Sequence, residues 1–497
     1  MDQYDLMIRG GRVLDPETNF DATADIAVKD GVIAAIGDVA GSAAQIIDAE
    51  GLVVSPGFID LHAHGQSLPA DRMQAFDGVT TTLELEVGVL PVARWYDEQA
   101  ALGRVLNYGA SAGWVFARIA TMTTQQAASS VAGMGEAMRD KRWVEEVATS
   151  AEVAEIVERV QVGLEQGGIG IAFPNAYAPG TGVKELSELC SLAARHGVPT
   201  YTHIAYMSNV DPRSSVEAYV RLIGLAGATG AHMHICHFNS TSLQDVERCA
   251  ELVKTAQAQG LKVTVEAYPY GTGSTVVGAE FFADPAFCQR QGTGYDAIEM
   301  VAERRRLADR NELLERQQRE PGALVLIHFL DVAVNQRHRD LLDISVMYPG
   351  GAIASDAMPW ILSNGRAYTG DAWPLPDDAV AHPRSSATFT KFLREWVIDR
   401  KAVPLMEGIA KCTLIPAQIL EASTPVMRKK GRLQVGCDAD IVAFDLQTLR
   451  DRADFLNMNR ASEGVKHLLV HGEAVITDGM LMREARPGRP VRREQAS

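Results

Sequence analysis

Apolar, strand-like runs alternate with longer helical stretches through the middle of this 497-residue chain, and this alternation limits the possible folds more than any other feature. The helical stretches, for example 184–196 and 242–259, carry apolar residues at the i, i+3 and i+4 spacing of amphipathic helices. Eight strands that alternate with helices predict an α/β fold, a parallel (β/α)8 barrel of the TIM type with its functional groups at the carboxyl ends of the strands. The eight runs are VVSPGFIDLHAH, GVTTTLELEV, NYGASAGWVFA, GIGIAFPN, VPTYTHIAY, AHMHICHF, LKVTVEAYPY and GGAIASDAM.

The two ends of the chain share a different pattern. Short segments rich in valine and isoleucine are separated there by turns that contain DG and GG pairs, which is typical of β-hairpins. We predict that residues 1–56 and 425–497 come together as one small β-sandwich. Residues 57–424 then form the catalytic barrel.

Composition limits the partners of the chain. The formal net charge is −16, and basic residues cluster only in short runs such as RKKGR at 428–432, which we expect to be solvated surface. The six cysteines are spread without a CxxC motif, as expected of reduced thiols. The N-terminus lacks signal-peptide features, and no apolar run reaches the roughly 20 residues of a membrane span. We expect a cytoplasmic protein with a small-molecule substrate and without nucleic-acid or membrane partners. Monomer and homo-oligomer are both compatible with the sequence.

Several of the buried runs end in side chains that bind metal ions or transfer protons. His62 and His64 close the first run, and their i, i+2 spacing on a strand turns both imidazoles to the same face. His203, His237 and Asp356 lie at corresponding depths on the fifth, sixth and eighth runs. Four histidines and a carboxylate suit a borderline divalent ion such as zinc. The sequence therefore predicts a site for one or two Zn²⁺ ions.

The sixth run, AHMHICHF, offers three histidines, and strand parity separates them. His232 and His234 share one face, whereas His237 lies on the other face and at the carboxyl end. We predict that His237 binds metal and that His232 and His234 are structural.

These motifs resemble those of the amidohydrolase superfamily and, within it, the N-acyl-D-amino-acid deacylase (D-aminoacylase) branch. PGFIDLHAH is similar to the metal-binding HxH motif that the superfamily carries on its first barrel strand. GVTTTLELEVGV, PTYTHIAY, ICHFNS, VTVEAYPYGTGST, IASDAMP, HPRSSATF and GRLQVGCDADIVAFD follow in the order of the branch over nearly the whole chain. The resemblance implies a (β/α)8 barrel with a β-sandwich from both termini. It also implies a metal-dependent amidohydrolase that cleaves the amide bond of N-acyl amino acids, with a preference for the D-configuration.

Carried over by position, the resemblance assigns roles to the strand-end residues. His62 and His64 are implied as ligands of one metal position, and His203 and His237 as ligands of the other. Asp356 is implied as the general acid/base that works with metal-activated water, and also as a metal ligand.

The chain departs from the branch after the second strand. The branch bridges its metals there with a cysteine, but the matching segment LEVG has none, and GIGIAFPN has no lysine that could be carbamylated. We predict that Glu86 supplies a bridging carboxylate, with Glu84 on the same face as the alternative. Two further alternatives are that both glutamates form buried ion pairs, or that the site holds a single metal ion.

A second departure concerns the substrate. A lysine that contacts substrate in the branch is replaced by Asn239, whereas the matching contacts Tyr177, Ser274 and Arg384 are present. Arg384 could hold a substrate carboxylate with two parallel hydrogen bonds, or it could tie a loop to the barrel. Another C–N hydrolase of the superfamily (a cyclic amide hydrolase, a dipeptidase or a deaminase) and a non-catalytic scaffold are therefore the alternative functions.

Overall fold

The computed structural model describes residues 3–493 of the chain. Its strands are β1 (Gln3–Asp15), β2 (Phe20–Lys29), β3 (Val32–Gly37), β4 (Ser42–Asp48), β5 (Val53–Pro56), β6 (Phe58–Asp60), β7 (Val79–Val89), β8 (Asn107–Gly113), β9 (Ile171–Pro174), β10 (Pro199–His203), β11 (His232–Ile235), β12 (Val263–Ala267), β13 (Thr272–Val276), β14 (Ile298–Met300), β15 (Arg305–Arg306), β16 (Leu324–His328), β17 (Ala352–Ile353), β18 (Ile361–Leu362), β19 (Ala379–Val380), β20 (Ile441–Phe444), β21 (Val465–Val470), β22 (Glu473–Thr477) and β23 (Met480–Leu481).

The α-helices are α1 (Leu68–Phe76), α2 (Val92–Leu102), α3 (Trp114–Met122), α4 (Val131–Ala137), α5 (Lys141–Glu145), α6 (Ser150–Glu165), α7 (Val183–His196), α8 (Ser215–Thr229), α9 (Phe238–Ser242), α10 (Val246–Ala258), α11 (Phe287–Gln291), α12 (Arg310–Arg319), α13 (Gln336–Val346), α14 (Phe389–Phe392), α15 (Leu405–Cys412) and α16 (Leu414–Leu420). A π-helix spans Leu393–Asp399. Short 3-10 turns cover Asn175–Tyr177, Leu243–Asp245, Glu280–Phe282, Tyr295–Ala297, Pro383–Ser385 and Pro425–Lys429. No helix within residues 3–493 is long and apolar enough to cross a membrane.

Eight parallel strands form the barrel, in the order β6 to β12 followed by β17. The ring closes at its carboxyl end through a parallel bridge between Ala63 and Ala357, where the His64 amide donates to the Ala357 carbonyl at 2.7 Å. Every residue of β7 is buried, as expected for a strand covered on both faces. Each of the eight predicted runs contains one barrel strand, so the (β/α)8 prediction is confirmed.

A nine-stranded sheet joins the two ends of the chain. Its order is β23-β22-β21-β20-β5-β1-β2-β3, with β4 paired to β1. The central strand β5 pairs in parallel with β1 and antiparallel with β20, so that Val54 lies between Val13 and Ala443. This confirms that both termini build one small β domain. The exact boundaries 1–56, 57–424 and 425–497 stay a prediction.

The last described residues leave this sheet and lie under the barrel. The Val491 amide donates to the Tyr108 carbonyl at 2.6 Å, and the Tyr96 hydroxyl donates to the Val491 carbonyl at 2.7 Å. The buried Val491 side chain packs with Leu83 and Ile169 inside the barrel. Residues around 491 therefore close the amino-terminal end of the barrel, opposite the strand ends that carry the predicted site.

Part of the basic run RKKGR is buried, so the expectation of a solvated surface is wrong for two of its residues. The Lys430 ammonium contacts Asp438 at 2.9 Å and Asp440 at 2.7 Å, with only 3% of its side chain exposed. Arg432 is buried between Glu17 and Glu421. The cations tolerate burial because each has two carboxylate partners.

An additional antiparallel sheet, β13-β16-β14-β15, is inserted between the seventh and eighth barrel strands. It begins five residues after β12 and is completed before β17. Because the insertion follows the carboxyl end of β12, it contributes to the wall of the site rather than to the base of the barrel.

Candidate metal centre

The Glu86 carboxylate lies between two pairs of histidines at the carboxyl end of the barrel. Its Oε1 is 2.8 Å from His237 Nε2 and 2.9 Å from His203 Nδ1. Its Oε2 is 3.3 Å from His62 Nε2 and 3.4 Å from His64 Nε2. One carboxylate oxygen thus faces each pair, which is the arrangement that a bridging ligand requires.

Backbone conformation helps to aim two of the predicted ligands. His237 follows β11 with φ of 35°, and Asp356 follows β17 with φ of 51°. Bulky L-residues rarely adopt this left-handed region, and such strained positions cluster at functional sites where the surrounding structure enforces them. His62, two residues after β6, and His203, the last residue of β10, have no such positive φ.

Two further carboxylates hold the histidine pair of the first strand. Glu266 Oε1 lies 2.5 Å from His62 Nδ1, and Glu84 Oε2 lies 2.9 Å from His64 Nδ1. With each Nδ1 occupied, both Nε2 atoms point to the centre of the site, only 3.1 Å apart. Glu84, the alternative bridging candidate, therefore contacts the outer nitrogen of His64, whereas Glu86 lies between the two histidine pairs.

Asp356 has a different partner on each carboxylate oxygen. Its Oδ1 lies 3.5 Å from His62 Nε2 and 3.4 Å from His64 Nε2. Its Oδ2 accepts a hydrogen bond from Arg384 Nη2 at 2.8 Å. Asp356 therefore faces the first histidine pair with one oxygen and is fixed in place through the other.

The buried charges of the site are unbalanced. Burial alone would raise the pKa of Glu86, but His62 and His237 outweigh it and lower this pKa well below its usual range. Burial opposes protonation of His62, yet the charges of Asp356, Glu266 and Glu86 raise its pKa well above the usual value. For His64 the pKa is raised in the same way, against burial, by neighbouring carboxylates. This surplus of buried negative charge is what a divalent cation neutralises.

The donor set fits such an ion. Donor atoms of His62, Glu86 and His237 lie within 4.8 Å of one another, as do those of His62, His64 and Asp356. Imidazole nitrogens together with carboxylate oxygens suit zinc and similar borderline ions. Two imidazole nitrogens that converge at 3.1 Å also require a proton or a cation between them.

A cavity opens above the centre, and two of the predicted substrate residues border it. Tyr177 packs its ring edge-on against His203, and its hydroxyl lies 2.7 Å from Thr275 Oγ1. Burial raises the pKa of Tyr177, so this hydroxyl stays protonated at neutral pH. Ser274, from the inserted sheet, also borders the cavity and donates from Oγ to the Val325 carbonyl at 2.9 Å.

The other two predicted substrate residues are fully buried beside the site. The Arg384 guanidinium lies over the Tyr268 ring at 4.5 Å from its centroid, and its Nε and Nη1 have no hydrogen-bond partner among residues 3–493. Asn239 Nδ2 donates to the carbonyls of Tyr268 and Tyr270, both at 3.0 Å. The Asn239 amide nitrogen is thus used in hydrogen bonds to the backbone after β12, whereas two donor atoms of Arg384 have no partner among the described residues.

Glu266, which lies inside the seventh barrel strand, was not among the predicted site residues. Its Oε2 lies 3.2 Å from His234 Nε2, and His234 Nδ1 lies 2.9 Å from Thr264 Oγ1. His232 Nε2 lies 2.8 Å from the same Thr264 Oγ1, so His234 contacts Glu266 directly and His232 lies one residue further from the centre. A charged residue in an otherwise apolar buried run, VTVEAY, is the signal that could have identified Glu266.

A second, wider groove reaches the same centre from the side of α2, α3 and α6. Its volume is about 1660 Å³, and His64 and Glu84 belong to its wall. His64 also borders the cavity above the centre. The centre is therefore approached from two sides.

A parallel barrel with a histidine–carboxylate cluster at its carboxyl end and a β domain from both termini defines a metal-dependent hydrolase of the amidohydrolase class. The chain belongs to the Amidohydrolase family, whose model matches residues 45–476. The predicted superfamily and enzyme class are confirmed.

Curated relatives resemble the chain over nearly its whole length. An N-acyl-D-glutamate deacylase of Alcaligenes xylosoxydans xylosoxydans is 26% identical over 530 residues, covering 99% of this chain and 97% of the relative. A D-aminoacylase of the same organism is 26% identical over 493 residues, covering 95% and 94%. The resemblance to the deacylase branch is thereby confirmed.

A solved structure shares the fold. The N-acyl-D-glutamate deacylase from Bordetella bronchiseptica, complexed with zinc and a phosphonate inhibitor, superposes with a TM-score of 0.77 at 24% identity, covering 99% of this chain and all of that one. This agreement confirms the predicted arrangement of barrel and β domain.

Proposed function

We propose that the chain hydrolyses the amide bond of N-acyl amino acids of D-configuration, with one or two Zn²⁺ ions as cofactor. The observation that carries the proposal is the Glu86 carboxylate between two histidine pairs, with Asp356 beside one of them. The similarity to an N-acyl-D-glutamate deacylase and a D-aminoacylase over nearly the whole chain supports the substrate class.

The residues fall into two ligand groups with one shared member. His62, His64 and Asp356 would hold one ion, His203 and His237 would hold the other, and Glu86 would bridge them. A divalent ion supplies a Lewis acid for the amide carbonyl and lowers the pKa of bound water from 15.7 to about 7.

Asp356 is the proposed general acid/base. Burial would raise its pKa, but Arg384 and His62 lower it, so the carboxylate is ionised at neutral pH and able to accept a proton. Asp356 takes the proton from the attacking water as the new carbon–oxygen bond forms. It then passes this proton to the nitrogen as the carbon–nitrogen bond breaks, which releases a carboxylic acid and a free amine.

Three residues would hold the substrate. The protonated Tyr177 hydroxyl beside His203 can donate to the oxygen that gains charge at the reacting carbonyl. The free Nε and Nη1 donors of Arg384, together with Ser274, would bind the carboxylate of the amino acid. Asn239 would act indirectly, because its amide fixes the backbone at Tyr268 and Tyr270.

A hydrolysis screen tests the proposal. Zinc-loaded protein is incubated with N-acetyl, N-formyl and N-succinyl derivatives of D- and L-amino acids, and the released free amino acid is quantified by chiral chromatography. We expect release of D-amino acids. Ammonia release or ring opening of cyclic amides, without release of an amino acid from any acylated substrate, would contradict it and favour another C–N hydrolase.

A further inference from the structure

The outer wall of the cavity above the centre is apolar. Six side chains form it: Val131 and Met134 of α4, Met207 after β10, Phe281 of a 3-10 turn, and Ile327 and Phe329 at the end of β16. They follow three barrel strands, β8, β10 and β12, so the apolar character does not come from a single element. The free volume is only about 50 Å³, and the two methionines give the wall a shape that adapts at little cost.

The cationic groups at this cavity are confined to its inner end, where His64, His203 and His237 lie at the metal centre. Among the described residues no lysine or arginine lines it, while Glu86 and Asp356 form part of its floor. A carboxylate in the outer part of the cavity would lose its hydration and find no cation there. The transfer of an unpaired carboxylate into such a site is strongly unfavourable.

One cation lies directly behind the cavity. Arg384 donates to Asp356, and its Nη2 also approaches the Ser274 carbonyl at 3.4 Å. Its two unpartnered nitrogens can serve one further carboxylate. An N-acyl amino acid with an acidic side chain brings two carboxylates, and the second would have no counterion.

We infer that the side chain of the amino acid lies in this cavity and must be uncharged and apolar, so that N-acyl derivatives of aspartate and glutamate are excluded. The inference rests on the proposed function. The predicted substrate therefore differs from that of the relative named for N-acyl-D-glutamate. Examples of the predicted substrates are N-acyl derivatives of methionine and leucine.

Three substrates of similar length test the inference on the zinc-loaded, full-length protein: N-acetyl-D-methionine, N-acetyl-D-glutamine and N-acetyl-D-glutamate. We expect kcat/KM to fall from methionine to glutamine because of lost apolar contact. We expect a further fall of at least about 100-fold from glutamine to glutamate, where only charge is added.

Ile327 offers a matched pair of variants, because it is half-buried in the wall of this cavity and is not part of the metal centre. Ile327→Lys places a cation in the cavity and should raise kcat/KM for N-acetyl-D-glutamate at least tenfold while lowering it for N-acetyl-D-methionine. Ile327→Met keeps the wall apolar and should change the ratio of kcat/KM for N-acetyl-D-glutamate to that for N-acetyl-D-methionine less than about threefold. Metal content is measured for each variant to confirm an intact centre.

The outcomes separate the inference from the function on which it rests. Preferred cleavage of N-acetyl-D-glutamate or N-acetyl-D-aspartate by the unaltered protein would overturn the inference and leave the proposed function intact. Release of no amino acid from any acylated substrate would overturn the proposed function itself. If Ile327→Lys does not fold, the three-substrate comparison alone decides.

Discussion

Asp356 lies between the histidine pair of the first strand and a buried arginine, so Asp356→Asn is expected to have two separable effects. Asparagine keeps the shape of the side chain but cannot accept a proton from water. It also removes the negative charge that faces Arg384 at 2.8 Å. Turnover should be lost through the first effect and stability through the second.

The expected sizes differ for the two effects. Loss of a general acid/base lowers the rate about 10²- to 10⁴-fold, or about 3–5 kcal/mol in the activation barrier. Breaking a buried ion pair costs about 3–5 kcal/mol, and we expect the lower end, about 3 kcal/mol, since the asparagine oxygen still accepts one hydrogen bond. The Arg384 side chain is fully buried, so water cannot replace the lost partner.

The assay combines kcat/KM for an N-acyl-D-amino acid, metal content and the free energy of unfolding in urea. Asp356→Asn should retain metal, because four histidines and Glu86 remain. Arg384→Met and the double variant complete a cycle: the double variant should be more stable than Asp356→Asn, because no unpaired cation is left buried. Full activity of Asp356→Asn would refute the assignment of Asp356 as general acid/base, and strictly additive stabilities would refute the proposed ion pair.

Three further outcomes are expected. Glu86→Gln should reduce the metal content by about one equivalent in elemental analysis, whereas Glu84→Gln should retain both ions; equal losses would contradict a bridging role of Glu86. Glu266→Gln should weaken metal binding about 10- to 100-fold in chelator competition, because the imidazole of His62 loses its anionic partner; unchanged binding would contradict this support. Burial lowers the pKa of Lys411 from 10.5 to about 8, so between these pH values the unfolded chain binds one more proton than the folded protein. The free energy of unfolding of the unaltered protein should therefore rise with pH, relative to that of Lys411→Met, by up to about 3 kcal/mol. A difference between the two proteins that does not change with pH would contradict this prediction.

The barrel and most of the centre could be predicted from local sequence patterns. Buried parallel strands give continuous apolar runs, and a polar residue at the end of such a run is conspicuous, as with His62, His203 and His237. Strand parity also distinguished His237 from His232 and His234. Alternate residues of a strand point to opposite faces, so the faces of these histidines follow from their positions in the sequence alone.

Parity could not separate Glu84 from Glu86, which share a face of β7. Their contacts differ because the loop after β6 brings His64 Nδ1 to Glu84, while His203 and His237 approach Glu86 from two other strands. These are contacts between residues far apart in sequence. The ion pair between Arg384 and Asp356 could not be predicted for the same reason, since the two residues are distant in sequence.

Local sequence patterns also could not predict the inserted sheet or the burial of Lys430. Strands β14 and β15 have only three and two residues, too few for a periodic signal. Lys430 lies in a basic run and was therefore predicted to be exposed. Its carboxylate partners, Asp438 and Asp440, contact it only after the chain folds back on itself.

The central claim is that this centre, once it holds metal, hydrolyses N-acyl amino acids. The most direct test is to titrate Zn²⁺ into chelator-treated protein and to follow the release of free amino acid from N-acetyl-D-methionine and, in parallel, from N-acetyl-D-glutamate. We predict no release without metal and full activity after addition of one or two equivalents. Undiminished release by the metal-free protein, or no release at any zinc content, would contradict the claim.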